Sequence, residues 1–426
     1  MKAIGIDIGT TSVCGVLIDA LTGELIASET KNSNAFLAGC AWWEKIQSVE
    51  KIINIATEIL TKLLCEDVAV IGVTGQMHGI VYYNSKGNAV SPLYTWQDER
   101  GNLPYKDTSY AEYLNSYSGY GNVTDFYNSE NGIRPIDAAG YCTIQDYLVM
   151  QLCKQNKPLM HSTNAAGLGC YDLKENKFNY PCNADILTDF HIAGEYQNIP
   201  VSVAIGDNQA SVFSTLADEN GILLNVGTGS QVSILSNTPI TAENIETRPY
   251  FNGKYLAVGS ALCGGRAYSL LKDFYYNILK YNGATDESAV YRIMTDMINN
   301  TDTASLTVDT RFAGTRSNKS LCGSISNITT ENFTPSQLTL GVLNGMASEL
   351  FTMYKAMNVN RSGIVGSGNG VRKNPALVSA LEKTFGTKML IPNHTEEAAT
   401  GAALYGLVSC KAFKTAKEAQ SLIKYI

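Results

Sequence analysis

The sequence predicts an α/β protein built from two related halves, each a sheet flanked by helices. Three observations lead there. Strand-like and helix-like segments alternate along the chain, the pattern of layered α/β proteins. The length, 426 residues, is enough for roughly two to three domains. Ile6-Asp7-Ile8-Gly9-Thr10-Thr11-Ser12 returns as Leu224-Asn225-Val226-Gly227-Thr228-Gly229-Ser230, with Gly9 and Gly227 218 positions apart. Each copy is an apolar strand, a Gly-Thr turn and a second apolar strand at the head of its half, as duplication would give. Two unrelated hairpins with glycine turns would give the same short match. The expected division is 1–216 and 217–426.

The elements follow in order. Ala3–Ile8 and Val13–Asp19 are apolar and β-branched around a polar turn, and Glu24–Ser28 extends the sheet after a second turn. Ile46, Val49, Ile53, Ala56, Leu60 and Leu63 recur at three- and four-residue steps, which predicts a helix with one apolar face. Val68–Val73 is a continuous apolar run of strand length, as in a buried parallel strand. Residues 101–140 are rich in Tyr, Asn, Ser and Gly with little periodicity and read as irregular or inserted structure. Thr143–Leu152 reads as helix and Ile199–Ile205 as strand. In the second half, strands at Tyr255–Val258, Gly363–Val365 and Met389–Ile391 alternate with helices at Arg266–Leu279, Gln337–Met357 and Pro375–Phe385. The last helix, Glu396–Val408, is rich in Ala and Gly and is expected to pack closely against a neighbour.

Composition narrows the function. A net charge of −7 argues against a nucleic-acid or anionic-membrane surface, which needs clustered cations. The ten cysteines are scattered with no C-x-x-C pair, so neither a zinc site nor a disulfide framework is expected. Met1–Asp7 has no signal-peptide pattern, and no apolar run approaches the ~20 residues of a membrane span. A cytoplasmic protein with reduced thiols and a small-molecule partner is the expectation.

Several segments could carry chemistry. A turn such as Gly9-Thr10-Thr11 presents backbone N–H groups and hydroxyls that suit a phosphate, and glycine lets the backbone approach closely. Asp7, at the end of its strand, is placed to hold Mg²⁺ or its waters. A polar hairpin turn with an Asx bond reads the same way. Asn225 replaces the acid in the second copy, so only the first half offers a carboxylate for metal. Gln76-Met77-His78-Gly79 follows a buried strand, where polar groups commonly face a ligand crevice; a structural histidine is equally well represented by that pattern. Trp96-Gln97-Asp98-Glu99-Arg100 offers an aromatic face for sugar C–H groups and charges for hydroxyls, or else a charged surface turn. Asp207 ends one strand and opens a helix, where the dipole favours an ionised carboxylate able to take a hydroxyl proton. An ordinary N-cap fits Asp207 too.

Together these segments resemble the FGGY carbohydrate kinases, of the actin, hexokinase and heat-shock ATPase fold group. The matching pieces are Asp7–Thr11, Gln76–Gly79, Trp96–Arg100, Gly206-Asp207-Asn208-Gln209, Asn225–Ser230 and Gly366-Ser367-Gly368-Asn369, in family order from residue 4 to about 406. The resemblance implies two ribonuclease-H-like domains with an interdomain active-site cleft, a sugar-binding N-terminal lobe and a nucleotide-binding C-terminal lobe. It implies ATP-dependent, Mg²⁺-assisted phosphorylation of a terminal hydroxyl of a ketose, sedoheptulose first. The alternatives are another specificity of the family (xylulose, ribulose, rhamnulose or a polyol) or a non-catalytic relative that binds sugar and ATP.

By the same resemblance, Asp207 is the general base. Gln76, Met77, His78, Trp96, Asp98, Arg100, Asn208 and Gln209 line the sugar pocket. Gly9, Thr10, Thr11, Gly227, Thr228 and Gly229 hold phosphates, Gly264, Gly265, Gly368, Asn369 and Asn374 border the adenosine, and Asp7 serves Mg²⁺. A homodimer is compatible with the family. The stretches Glu246–Tyr250, Phe312–Arg316 and Gly368–Pro375 carry the likeness to the members acting on sedoheptulose. The first two are expected in the second lobe, away from the sugar. One departure stands out: the family's Glu-Gln pair is here Glu44 and Gln47, separated by two residues.

Overall fold

The computed structural model describes the chain except residues 39, 40, 183, 284, 300–303, 316 and 317. Arg316, which closes one of the stretches above, therefore lies outside the described residues. The chain forms two compact units. The first comprises Met1–Ala217, Arg248–Tyr255 and His394–Lys424, and the second Asp218–Thr247, Leu256–Asn393 and Tyr425–Ile426. After Ala217 the chain thus returns twice to the first unit. Among the described residues no helix is long and apolar enough to cross a membrane.

In the first unit, β1 (Lys2–Ile8) and β2 (Ser12–Asp19) form an antiparallel hairpin from Lys2↔Asp19 to Ile8↔Val13, and β3 (Leu25–Asn32) pairs with the far side of β2. The other side of β1 lies parallel to β4 (Val68–Gly75). With β5 (Ile192–Tyr196) and β6 (Ile199–Ser202) the order is β5-β6-β4-β1-β2-β3, and β7 (Ile205–Gly206) runs parallel to the end of β4. Helix α1 (Val49–Leu63) begins after Ser48, whose hydroxyl accepts from Lys51 N, and buries Val49, Ile52, Ala56, Ile59, Leu60 and Leu63. That cap corrects the expected stripe: Ile46 lies in a two-residue strand, and Ile52 rather than Ile53 is the fully buried residue.

Residues 101–140 are more ordered than expected. Helix α2 (Gly121–Glu130) buries Asn122, Thr124, Asp125 and Asn128, polar residues that hide any apolar period. Hydrogen bonds satisfy them. Tyr141 donates to Asn122 Oδ1 at 2.6 Å, Asn122 Nδ2 to Gly169 O at 2.6 Å, and Tyr82 to Asp125 Oδ1 at 2.7 Å. Helix α3 (Asp207–Thr215) follows β7.

The second sheet repeats the first. Strands β8 (Ile222–Val226) and β9 (Ser230–Ser236) form the hairpin, and β12 (Ile364–Ser367) lies parallel to β8. With β10 (Ile245–Pro249), β11 (Tyr255–Ala261) and β13 (Met389–Leu390) the order is β10-β11-β9-β8-β12-β13. Asp7 pairs with Cys14 and Thr74; Asn225 pairs with Gln231 and Ser367. The two turns therefore sit at equivalent places in two ribonuclease-H-like sheets. Helices α4 (Gly265–Lys280), α6 (Pro335–Ala356) and α7 (Pro375–Phe385) match the sequence reading, while α5 (Ala289–Ile298) was not among its elements.

Helix α8 (Glu397–Ser409) packs on β1 and β4 in the first unit. Gly15, opposite Ile6, faces Ile59 and Leu63 of α1, whereas Gly5 and Gly72 face α8, so both faces of the sheet are covered. A Cβ on Gly5 would lie 1.8 Å from Ala399 O, and one on Gly72 1.9 Å from Ala402 O. On the helix itself, a Cβ on Gly401 would lie 1.8 Å from Ala210 O of α3. In a solvated helix Gly→Ala stabilises by about 1 kcal/mol. Here backbone is in the way. Gly401→Ala is expected to lower stability by about 1–3 kcal/mol, the scale of overpacking, as a reduced urea midpoint; an unchanged or raised midpoint would contradict this packing.

Candidate active site

Three strand ends meet in the first unit. Ile8 of β1 and Gly206 of β7 both register with Gly75 at the end of β4. Thr74 Oγ1 donates to Ile205 O at 2.8 Å, and Gly206 N donates to Thr163 Oγ1 at 3.0 Å, which clamps β7. Gly206 is the N-cap of α3, so Asp207 is its first helical residue, where the dipole favours a carboxylate. Asp207 Oδ1 accepts from Asn208 N at 2.6 Å.

The electrostatics are set first by burial of two carboxylates and then, at Asp7, by neighbouring acids. Burial, then the charges of Asp207 and Glu396, push Asp7 up to about 7. Burial pushes Asp207 up to about 6, opposed by the Arg248 guanidinium and by the Asn208 N–H. Cys14, beside Asp7 in the hairpin, donates to Glu396 Oε2 at 3.3 Å, and burial raises its thiol to about 12. Asp7 Oδ1 is buried with no hydrogen-bond partner among the described residues. An orphaned acceptor among like charges suits a hard cation. No group of three His, Cys, Asp or Glu among the described residues is arranged as a ligand set, so such a cation would take most of its shell from water and phosphate oxygens.

The residues expected around a sugar divide into two groups. A Cβ on Gly206 would meet Gln209 Oε1 at 2.6 Å and Met77 Sδ at 2.8 Å, so Met77 and Gln209 adjoin the Asp207 turn. Gln209 Nε2 donates to Pro249 O at 3.1 Å, while its Oε1 is buried and without a partner among the described residues. His78 holds a left-handed φ of 75°, uncommon for a residue with a side chain. Its Nδ1 lies 2.7 Å from Gly167 O and its ring stacks on Tyr120 at 4.3 Å. Trp96 is 46% exposed, and its Nε1 donates to Thr10 Oγ1 at 2.9 Å. Thr10 Oγ1 donates in turn to Gln76 Oε1, Gln76 Nε2 to Gln47 Oε1, and Gln47 Nε2 to Thr10 O at 2.6 Å. The Thr10 turn is thereby tied to the residues expected around a sugar.

Asp98 and Arg100 form the second group, and both are buried. Arg100 Nε donates to Asp98 Oδ1 at 2.7 Å, Arg100 also bonds Asn128, and its guanidinium lies over Tyr94 at 4.3 Å. Glu44 reaches the same guanidinium at 3.6 Å. So Glu44 belongs to the buried arginine and Gln47 to the Thr10 turn, which accounts for their separation. Asp98 Oδ2 also accepts from Lys45 N, joining the Trp96 loop to the segment before α1.

Of Glu246–Tyr250, Glu246 and Thr247 lie in the second unit as expected, and Arg248–Tyr250 departs from its expected place. Arg248–Tyr255 packs in the first unit, with Arg248 acting on Asp207 and Pro249 O holding Gln209. Sequence reasoning quoted this stretch but set it away from the site. It also missed Glu396, which no local signal marks.

The second unit contains a cavity of about 740 Å³. Gly227, Thr228, Gly265, Gly368, Asn369 and Asn374 line it. Gly229 and Gly264 lie against each other, a Cβ on Gly264 meeting Gly229 backbone at 2.3 Å, and Gly265 N donates to Gly227 O. Gly368 holds φ 84° against Val226 O, a place only glycine fills easily. Arg266 and Lys373 add positive charge to the cavity wall.

Burial of Asp7, with the acids beside it, carries a stability cost with a definite sign. Asp7 titrates near 7 when folded and 3.8 when exposed, so the folded state holds its proton more tightly. The cost is absent below about pH 4 and complete above about pH 7. In metal-free buffer, Asp7→Asn is expected to raise unfolding free energy by about 1–2 kcal/mol at pH 8 and by little at pH 4, discounting for nearby water. Denaturation curves at the two pH values check this, and equal effects at both would contradict it.

Known proteins bear on both units. The model of the N-terminal domain of the FGGY family of carbohydrate kinases matches residues 2–188, and that of its C-terminal domain matches residues 222–410. Sedoheptulokinases of Mus musculus and Homo sapiens are each 28% identical, covering 94% of this chain and 96% of theirs. The crystal structure of a ligand-bound xylulose kinase from Lactobacillus acidophilus superposes with a TM-score of 0.85 at 16% identity, over 100% of this chain and 92% of that one, a likeness of fold. With each repeated sheet matched by its own half of a single family, this chain belongs to the FGGY carbohydrate kinases.

Proposed function

We propose that this carbohydrate kinase transfers the γ-phosphoryl group of ATP to a terminal hydroxyl of a ketose, with sedoheptulose as the first candidate. The observation that carries the reading is Asp207: at the start of α3, it titrates near 6 and is ionised at neutral pH. A carboxylate so placed takes the proton of the attacking hydroxyl as its oxygen bonds to phosphorus and ADP leaves. The open acceptor Gln209 Oε1 and the exposed Trp96 face beside Thr10 support a polyhydroxylated substrate next to that base. Asp98 and Arg100 then act as positioning residues, holding the Trp96 loop from behind.

The glycine-rich cavity of the second unit, with Arg266 and Lys373 in its wall, supports nucleotide binding there. Mg²⁺ would be held by Asp7 and would supply charge neutralisation for the phosphates. The seven-carbon sugar is favoured because Glu246–Tyr250, a stretch like that of the sedoheptulose-acting members, bears on Asp207 and Gln209 through Arg248 and Pro249. We read the working compartment as the cytoplasm, where ATP and reduced cysteines are both found.

Two measurements test this reading. Asp207→Asn is expected to lower turnover ~10²–10⁴-fold while leaving ADP affinity intact; near-normal turnover would remove Asp207 from the chemistry. Across C5 to C7 ketoses, aldoses and polyols, sedoheptulose should give the highest kcat/KM. A value tenfold higher for xylulose, or for any other sugar of the panel, would reassign the substrate and leave the kinase class intact.

A further inference from the structure

The cavity of the second unit is lined by two kinds of group. Gly227, Thr228 and the Gly368–Gly370 turn, with Arg266 and Lys373, are polar or cationic; Tyr268, Tyr291, Met346 and Leu377 are aromatic or aliphatic. If the cavity takes the phosphoryl donor, as proposed above, the cationic side chains suit its phosphates and the aromatic rings its base. We propose that Tyr291, backed by Tyr268, is the stacking platform for the nucleobase, and that stacking rather than edge recognition selects the donor, so that purine nucleotides are accepted as a class.

Tyr268 on α4 and Tyr291 on α5 lie nearly parallel, with centroids 5.8 Å apart and 20° between planes. Tyr268 is buried. Tyr291 is 41% exposed, so part of its ring is open to a ligand. Lys272, one turn along α4 from Tyr268, lies 5.9 Å from the Tyr291 centroid and is paired with Asp273 and Glu287, which hold it in place. The platform is thus built from the two helices before any ligand arrives.

Two polar side chains of the lining are already engaged. Thr295 Oγ1 donates to Tyr291 O at 3.0 Å, and Asn374 Oδ1 accepts from Leu377 N at 3.1 Å as the N-cap of α7. No Asp or Glu lines the cavity among the described residues. The wall therefore offers no carboxylate to receive the N1–H and amino group that distinguish guanine. A two-ring base covers more of the tyrosine face than a one-ring base, and stacking tolerates any base with a π-face.

The test uses the full chain, with ADP, GDP and UDP as calorimetric probes and ATP kinetics at saturating sugar. Tyr291→Ala is expected to weaken ADP binding and raise the KM for ATP by about ten- to a hundredfold, the scale of one lost base–aromatic stack. The KM for sugar should stay within about twofold, and Tyr291→Phe should restore ADP affinity, neither of which a loss of structure would give. GDP should bind within about tenfold of ADP and UDP more than tenfold more weakly. ADP affinity unchanged in Tyr291→Ala but weakened in Lys373→Ala would overturn the platform while keeping the nucleotide in this cavity. UDP binding as tightly as ADP would overturn it as well. Indifference of ADP to both substitutions would remove the nucleotide from the second unit altogether.

Discussion

Close approach of backbone to backbone at three glycines holds the first unit together. Gly5 and Gly72 let α8 settle directly on β1 and β4, and Gly401 lets the same helix touch α3 at Ala210. A side chain at any of the three would collide with a carbonyl. Because β1 ends next to Asp7 and α3 begins at Asp207, one helix sets the spacing of both acids. Glu396, one residue ahead of α8, is delivered toward Asp7 by the same contact. Packing that looks purely structural therefore fixes the charge geometry of the site.

That geometry works against stability. Burial raises the proton affinity of both Asp7 and Asp207, and the charges of Asp207 and Glu396 add to the effect at Asp7. Arg248 offsets part of this at Asp207, and only the return of Arg248–Tyr255 to the first unit makes it available. Natural proteins keep such unfavourable arrangements mainly where chemistry needs them. By contrast, the buried Asp98–Arg100 pair is well satisfied by Asn128, Lys45 N and the Tyr94 face. Breaking such a pair leaves an uncompensated buried charge, so its main service is to fix the loop that presents Trp96.

Duplication gives the two units one topology and different chemistry. Asp7 and Asn225 occupy the same register in sheets that share a five-strand core order, yet only the first is an acid. Around Asp7 lie charges; around Gly227 lie glycines, hydroxyls and a mixed aromatic cavity. Substitution within a fixed turn geometry, rather than a change of fold, separates the two roles.

Much of this was legible in the amino-acid order. The repeated Gly-Thr turns, the α/β alternation, the Ala- and Gly-rich last helix and the strand-end position of Asp207 each rest on local spacing, which sequence carries directly. Helix α2 was not legible, because its buried side chains are polar and its stability comes from partners such as Tyr82 and Tyr141 far along the chain. Nor was the burial of Arg100, since a charged residue in a polar loop reads as surface until Asp98, Asn128 and Tyr94 close around it. The positions of Arg248 and Glu396 were likewise decided only by tertiary structure. Both reach the Asp7–Asp207 site from distant segments, and no spacing rule reports which distant segment folds back onto which sheet.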